Sequence, residues 1–507
     1  MSIISPAIKG YMKLRLSAID NFMHNPIDTQ QQVFNHLIGS AQFTEYGKKY
    51  GFEQVNSVAD FKQRVPINDY DTLKPYIQRI LEGEQNILWS SPINWFAKSS
   101  GTTSDKSKFI PISKEALDDN HYKGGKDVLT LYLKQFPDSK MMSGKCLTIG
   151  GSHQINQLHA DSFFGDLSAV MLQNMPLYAR TIRTPDLSIA LMDEWEQKIE
   201  MMAHTTMQEN VTYIAGVPTW TIVLIKRILE IAGASNLHEV WPNLELYIHG
   251  GVSFKPYRKQ FETFIPSTNM HYMETYNASE GFFAAQDSTD SDGMLLFLNH
   301  GIYYEFMPME EYGKENPRTL TLKEVELNKN YALVLNTNCG LWRYMVGDTI
   351  QFTSLNPFRV KVTGRLKHYI NAFGEEVIVD NTDQALADAC RITGAVVNDY
   401  TAAPVYMTGE TNGAHEWIIE FDNLPCPLDV FVKEMDAALQ KVNSDYEAKR
   451  HKDIALRMPI VHVMPKGGFT LWLKDKGKLG GQNKVPRLSN ERKFLEEILP
   501  YTDKGSL

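Results

Sequence analysis

Over the first ninety residues, apolar positions recur three and four apart. This spacing predicts helices at Met12–Met23, Thr29–Ile38 and Tyr70–Leu81, broken at Asn25-Pro26 and Val65-Pro66. The period then changes. Cys146–Ile149 is a short apolar run ending in Gly150-Gly151, and Leu244, Leu246 and Ile248 alternate before Gly250-Gly251, so both predict strands. Between them, Leu191, Trp195, Ile199 and Met202 keep helical spacing, and the apolar stretch Ile222–Ile231 predicts a helix stopped at Gly233. Strands at Met294–Leu298, Ile302–Phe306 and Tyr331–Leu335 follow. Interleaved strands and helices, and then a run of strands, predict an α/β domain with a partly parallel sheet.

After about Arg365 the order becomes helix (Thr382–Cys390), strand (Ala395–Val397), strand (Glu416–Phe421), helix (Val430–Tyr446), strand (Ile460–Val463). The second of these helices is amphipathic through Phe431, Met435, Leu439, Val442 and Tyr446. This describes a small α+β unit. The boundary is placed near 363–374, within TGRLKHYINAFGEE, giving an N-terminal domain of 1–364 and a C-terminal domain of 365–507. That stretch reads either as an ordinary linker or as a hinge.

A chain of 507 residues is expected to form two to four compact units, and 43% apolar content supplies ample core. The net charge of −9, without a basic block, argues against a nucleic-acid partner. Cys146, Cys339, Cys390 and Cys426 are scattered, which suggests neither a disulfide framework nor a zinc site. The N-terminus lacks the apolar core of a signal peptide, and no run approaches the ~20 apolar residues of a membrane span. A cytoplasmic protein with no membrane partner is expected.

Several stretches carry candidate chemistry. KSSGTTSDKSKFIPIS (98–113) is rich in hydroxyls and followed by lysines, so its backbone N–H groups and hydroxyls can ring phosphate oxygens. It lacks the G-x-x-x-x-G-K-[ST] pattern, and a polar loop before a strand explains it too. ETYNASEGFF (274–283) offers Tyr276 for stacking on a purine, hydroxyls at Thr275 and Ser279, and a hard oxygen ligand for Mg²⁺ at Glu280. The same residues also differ from the nucleophile elbow G-x-S-x-G only at its first position, and a plain strand-to-helix turn is a further reading.

In NCGLWRYMVGDTIQF (338–352), Arg343 and Tyr344 precede Asp348, a carboxylate suited to a ribose diol. Gly347-Asp348 is equally good hairpin-turn chemistry. Arg365 can reach ribose or phosphate oxygens, or serve as a solvated surface residue. KGKLGGQNKVPRLSN (476–490) is a basic, glycine-rich loop in which Lys484 and Arg487 can bring positive charge to a phosphate. Tyr213, Val217, Pro218 and Thr219, in YIAGVPTW, read as the wall of an acyl pocket or as core packing.

Taken in order, SSGTTSDKSKFIPIS, YNASEG, RYMVGD, GRLKHYINAFGEE and GGQNKVPR resemble the successive motifs of the Gretchen Hagen 3 family of acyl-acid amido synthetases, within the adenylate-forming superfamily. LWSSPINWFAKSSGTT strengthens the match, which spans residues 30 to 500. The resemblance implies a large N-terminal α/β domain that binds ATP and an acyl acid, and a small mobile C-terminal α+β domain. It implies a carboxylic acid and an amino acid as substrates, with ATP and Mg²⁺, joined through an acyl-adenylate.

Carried over by position, Ser99, Ser100, Gly101, Thr102 and Thr103 resemble the phosphate loop. Tyr276 falls near adenine, Thr275 and Ser279 near phosphate or ribose, Glu280 on Mg²⁺, Asp348 on ribose, Arg365 at the hinge, and Lys484 as the catalytic lysine that swings in for adenylation. Two departures stand out. Ser104–Ser107 replace a glycine and proline common in adenylating enzymes, leaving Lys106, Lys108 or neither as the phosphate contact, and Asn277 follows Tyr276 where the wider superfamily has glycine. Three other functions fit parts of the pattern: an acyl-CoA or carrier-protein ligase, a serine hydrolase using Ser279, and a non-catalytic nucleotide-binding module.

Overall fold

The computed structural model describes residues 6–502 apart from 100–107, 150–154, 160, 193, 252–253, 255–256, 289–290, 292, 367–368, 371, 373–374, 376, 407–412, 451–455 and 479–483. Contacts divide the chain into two units. One comprises residues 1–251 and 267–362, the other residues 252–266 and 363–507.

The first unit opens with helices at Pro6–His24, Pro26–Ala41 and Tyr70–Leu81, the last closed at its start by a reciprocal capping box between Asp69 and Thr72. Its strands in chain order are β1 (Trp95–Ser99), β2 (Lys108–Ile112), β3 (Lys145–Thr148), β4 (Asn156–His159), β5 (Ser162–Gly165) and β6 (Arg183–Thr184). They continue as β7 (Val211–Ala215), β8 (Leu246–Gly250), β9 (His271–Ala278), β10 (Gly281–Ala285) and β11 (Met294–Leu296). The last four are β12 (Ile302–Pro308), β13 (Asn330–Thr337), β14 (Tyr344–Leu355) and β15 (Phe358–Arg365), the last of which ends in the second unit from Thr363 on.

Among the described residues, eleven of these strands form one sheet in the order β12-β13-β14-β15-β11-β10-β9-β8-β7-β3-β6, and β2-β1-β5-β4 form a smaller one. The β6-β3-β7-β8-β9 half of the large sheet is parallel, and the pairings β9-β10-β11-β15 and β14-β13-β12 are antiparallel. The mixed α/β architecture expected from the pattern is therefore present. Phe22 and Tyr132 from helices pack with Phe283, Leu296, Tyr304, Leu333 and Phe352 from the sheet in the principal core.

Most predicted elements differ from the observed ones at their ends, and in two a local cap sets the difference. Leu191 falls outside the helix Trp195–Thr206, because the Glu194 carboxylate accepts from the N–H groups of Glu196 and Gln197 and starts the helix there. In the second unit, Val430–Tyr446 is not continuous: Leu428–Val442 ends at Asn443, whose φ is −140°. The Asn443 side-chain oxygen then accepts from Tyr446 N at 2.7 Å and caps a separate helix, Ser444–Arg450.

The second unit also holds β16 (Tyr369–Ile370) paired with β17 (Val377–Ile378), and a three-stranded sheet of β18 (Val396–Val405), β19 (Ala414–Asn423) and β20 (Ile460–Met464). The helices Val379–Thr393 and Leu428–Val442 share its core through Leu386, Phe431 and Leu439, against Tyr400 and Trp417 of the sheet. Among the described residues, no helix is long and apolar enough to cross a membrane.

Candidate active site

In the parallel half of the large sheet, β8 ends in glycine. At the end of β8, Gly250 lies opposite Thr275 of β9, and a Cβ there would meet the Thr275 carbonyl oxygen at 2.5 Å and its hydroxyl at 2.7 Å. Only glycine permits this approach. The Thr275 hydroxyl donates to the His249 carbonyl at 3.1 Å, so the threonine staples β9 to β8 at the carboxyl end of the parallel set. Ligands bind at this end in open α/β sheets.

β9 turns back as β10 with Ala278 opposite Gly281, so Ser279 and Glu280 are the two residues of a hairpin turn. The strand-to-helix reading of this motif is corrected: a nucleophile elbow needs a helix after the serine, and here a strand follows. Ser279 is also buried. Asn120 holds the turn from beneath. It accepts from Phe282 N at 2.6 Å and donates to the carbonyls of Phe282 and His300, at 3.3 and 2.9 Å. A Cβ at Gly281 would stand 3.3 Å from the Asn120 oxygen and 2.6 Å from Ile302 Cδ1, which explains the glycine after Glu280.

The third motif meets the second directly. The Tyr276 hydroxyl donates to Asp348 Oδ2 at 2.8 Å, between groups 72 residues apart that are both buried. Asp348 does not sit in a hairpin turn. β14 runs unbroken through it, and its register against β13 shifts so that Val346, Gly347 and Asp348 together span the single residue Leu333. Gly347, at φ +94°, supplies the left-handed backbone for this bulge. A bulge re-aims a side chain without ending the strand, and here it turns Asp348 toward Tyr276.

Tyr344, at the start of β14, connects the motifs a second time. Burial, and secondarily the Glu280 carboxylate, raise its phenol far above the ordinary value. Burial likewise pushes the Cys339 thiol up to about 12, with Glu280 a minor contributor, so Cys339 stays a neutral core residue. Arg343 is not available to a ligand. It is buried at φ +43°, pairs with Glu305, and donates to the carbonyls of Val65 and Lys62 and to the Thr319 hydroxyl. On its other side, Asn68 donates to the Trp342 carbonyl and exchanges backbone bonds with Arg343 and Met345. The N-terminal helical region thereby sets the start of β14.

For a divalent cation, Glu280 is a hard oxygen donor, and no group of three or more His, Cys, Asp or Glu side chains among the described residues makes a closed metal cage. One carboxylate fits Mg²⁺ as it is usually held beside phosphates, with substrate oxygens and waters completing the shell.

β1 and β2 pair with Ser99 opposite Lys108, so the hydroxyl-rich loop starts and finishes at adjacent positions. Ser100, Gly101, Thr102 and Thr103 themselves, and the Ser99 side chain, lie outside the described residues. Lys108 Nζ lies 5.8 Å from the centre of the Tyr70 ring. Tyr213 is a buried member of the principal core on β7. Val217 stands at the N-cap position of the helix Pro218–Ala232 without a side-chain capping bond, Pro218 is the buried first residue of that helix, and the Thr219 side chain lies outside the described residues. Arg365 is exposed at the end of β15. In the second unit Lys484 is exposed, whereas Arg487 is committed to an ion pair with Asp399 and a bond to the Tyr257 hydroxyl. Arg487 is therefore not the free cation that the sequence suggested. Asn120 and His300 were not legible as site supports, since their partners lie 160 or more residues away in sequence or carry no motif.

Comparison with known proteins finds three family domains in order: GH3 family N-terminal domain at residues 15–270, GH3 family central domain at 295–365 and GH3 family C-terminal domain at 380–493. The chain is 24% identical to an indole-3-acetic acid-amido synthetase, GH3.3, of Arabidopsis thaliana, over 97% of this chain and 94% of that protein. Its fold matches the solved structure of GH3.15 acyl acid amido synthetase with a TM-score of 0.79 at 18% identity, over 96% of this chain and 95% of that one. It also matches 2-hydroxyisobutyryl-CoA ligase in the postadenylation state, with a TM-score of 0.60 at 13% identity, over 94% and 92% of the two chains.

Proposed function

The chain belongs to the GH3 family, and from that premise we propose that it is an ATP-dependent acyl-acid amido synthetase. A carboxylate oxygen of the acyl acid attacks the α-phosphorus of ATP, the bond to the β-phosphate oxygen breaks, and pyrophosphate leaves. The nitrogen lone pair of an amino acid then attacks the acyl carbon of the adenylate. The bond to AMP breaks, the amine gives up its proton, and an amide results.

The observation that carries this reading is the bond from Tyr276 to Asp348, which fuses two weak motifs into one buried constellation. In it, Tyr276 orients the Asp348 carboxylate toward the ribose and packs by the adenine. Thr275 and Ser279 face phosphate or ribose, and the loop containing Ser99, Ser100, Gly101, Thr102 and Thr103 cradles the phosphates. Glu280 would hold Mg²⁺, which when bound would supply charge neutralisation at the phosphate oxygens. Lys484 supplies positive charge for the adenylation transition state, where an anion attacks a polyanion. Residues 365–507 act as a mobile lid with Arg365 at its hinge, and the acyl group lies by Tyr213, Val217, Pro218 and Thr219. A lid also shields the adenylate from water between the two steps.

Four unpaired cysteines suit a cytoplasmic setting, and the acidic balance speaks against a nucleic-acid partner. The fold shared with a CoA ligase supports a thiol acceptor as the second reading. Pyrophosphate release from ATP and Mg²⁺ across a panel of carboxylic acids, each with and without mixed amino acids or CoA, tests both. Acid-dependent release with an amide product supports the amido synthetase. A thioester without an amide moves the assignment to the ligase, and ATP-independent ester hydrolysis would contradict both.

A further inference from the structure

Lys484 is exposed, but the chain just after it is fastened. Val485 and Leu488 are buried, and Leu488 bridges to Ala402 of β18. The Thr401 hydroxyl donates to the Pro486 carbonyl at 2.6 Å, Ala402 N donates to the Arg487 carbonyl at 2.9 Å, and Ser489 N returns to the Ala402 carbonyl at 3.2 Å. Residues 485–489 therefore lie along β18 as an added strip, and Lys484 is the first residue beyond its end.

The strip has one polar anchor, Arg487. Its guanidinium pairs with Asp399, donates to the Tyr257 hydroxyl at 2.7 Å, and lies over the Tyr400 ring at 4.5 Å from the centroid. A planar guanidinium can satisfy these three geometries together, whereas an ammonium cannot. Tyr257 is itself buried and belongs to the segment 252–266, which the chain inserts between β8 and β9 and which is counted with the second unit. The same segment is tied by Gln260 to Asn398, at 3.0 Å.

We infer that Arg487 is a positioning residue for adenylation: through Asp399, Tyr400 and Tyr257 it fixes the base from which the Lys484 side chain extends. This rests on the role proposed for Lys484. If that lysine serves only the first half-reaction, loss of its anchor impairs that half alone. A purely structural role for Arg487 would lower both halves together.

The test compares Arg487→Lys and Tyr257→Phe with Lys484→Ala in the full chain. One assay reads acid-dependent pyrophosphate release, and a second reads amide formation from a chemically prepared acyl-adenylate and an amino acid. The expected result is a loss of tenfold or more in the first rate for Arg487→Lys, and a smaller loss for Tyr257→Phe, with the second rate within twofold of wild type. Tyr257→Phe removes one hydroxyl and no charge, so it remains informative if Arg487→Lys folds poorly. If Lys484→Ala is selective for the first half but Tyr257→Phe changes both rates equally or neither, the positioning role is wrong and the functional reading stands. If Lys484→Ala itself spares pyrophosphate release, the assignment of Lys484 fails and this inference falls with it.

Discussion

Replacing Tyr276 by Phe removes a single oxygen, and what that oxygen does is visible. It donates to a carboxylate that is itself only 6% exposed, and the ring stays in place against Phe283, 4.8 Å away between centroids. A hydrogen bond to a charged group contributes about 1.5–3 kcal/mol net, and each 1.4 kcal/mol is tenfold, so kcat/KM for ATP should fall by roughly 10- to 150-fold. The same buried bond also stabilises the fold, so the melting temperature should fall by a few degrees while the ring and its packing survive. Steady-state pyrophosphate release with varied ATP measures the first quantity and calorimetry the second. A double-mutant cycle with Asp348→Ala sharpens the test, since groups acting as one unit are not additive. The double variant should be less impaired than the sum of the singles by about 1–2 kcal/mol, a typical coupling for residues in contact. Additive losses, or an unchanged kcat/KM in Tyr276→Phe, would refute the claim that this pair forms part of the nucleotide site.

Other consequences are as direct. Lys484→Ala should abolish acid-dependent pyrophosphate release while leaving ATP affinity, read by calorimetric titration, within a few-fold of wild type; normal turnover would remove Lys484 from the chemistry. Glu280→Ala should raise the Mg²⁺ concentration needed for half-maximal pyrophosphate release by tenfold or more, and an unchanged Mg²⁺ dependence would reassign the carboxylate. Stability should fall on acidification between pH 6.5 and 4. Burial lowers His121 and His300 to about 4, the latter against an opposing pull from Asp127, so the unfolded chain takes up protons there that the folded one refuses. At pH 5 each histidine costs on the order of 2 kcal/mol relative to pH 7, because each tenfold change in a protonation equilibrium is worth ~1.4 kcal/mol. A melting temperature flat from pH 7 to 5 would contradict the neutral, buried assignment.

The periodic elements were legible because their burial follows local spacing. The helix Tyr70–Leu81 carries its own start signal in Asp69 and Thr72, and β8 shows in the alternation of Leu246 and Ile248. Asp348 shows where local signals stop being decisive. Glycine followed by aspartate serves a hairpin turn and a bulge equally well, and only the partner strand, with Leu333 facing three residues, distinguishes them. The NASEG stretch failed in the same manner: strand propensity before it is clear, but whether a helix or a strand follows depends on Asn120, far away in sequence, gripping Phe282. Arg487 was misread for a complementary reason. A basic, glycine-rich loop looks solvated, and the two tyrosines and the aspartate that enclose its arginine come from β18 and from the segment around Tyr257.

That last segment changes what motion of the second unit requires. A boundary at residue 365 suggests a lid hung on one linker, free to turn about a few backbone bonds. Because residues 252–266 are counted with the second unit, the chain passes between units at 251/252 and 266/267 as well as at 362/363. The first two passages follow Gly251, at φ +80°, and Pro266, so one is conformationally permissive and the other stiff. A rotation that keeps Arg487 on Tyr257 must therefore pivot at three places and draw on the ends of β8 and β9, the strands that carry Gly250, Thr275 and Tyr276. A rotation about the 362/363 passage alone must break that bond and the Gln260–Asn398 bond with it. Of the two, only the first would couple the proposed departure of Lys484 after adenylation to the strands that carry Gly250, Thr275 and Tyr276.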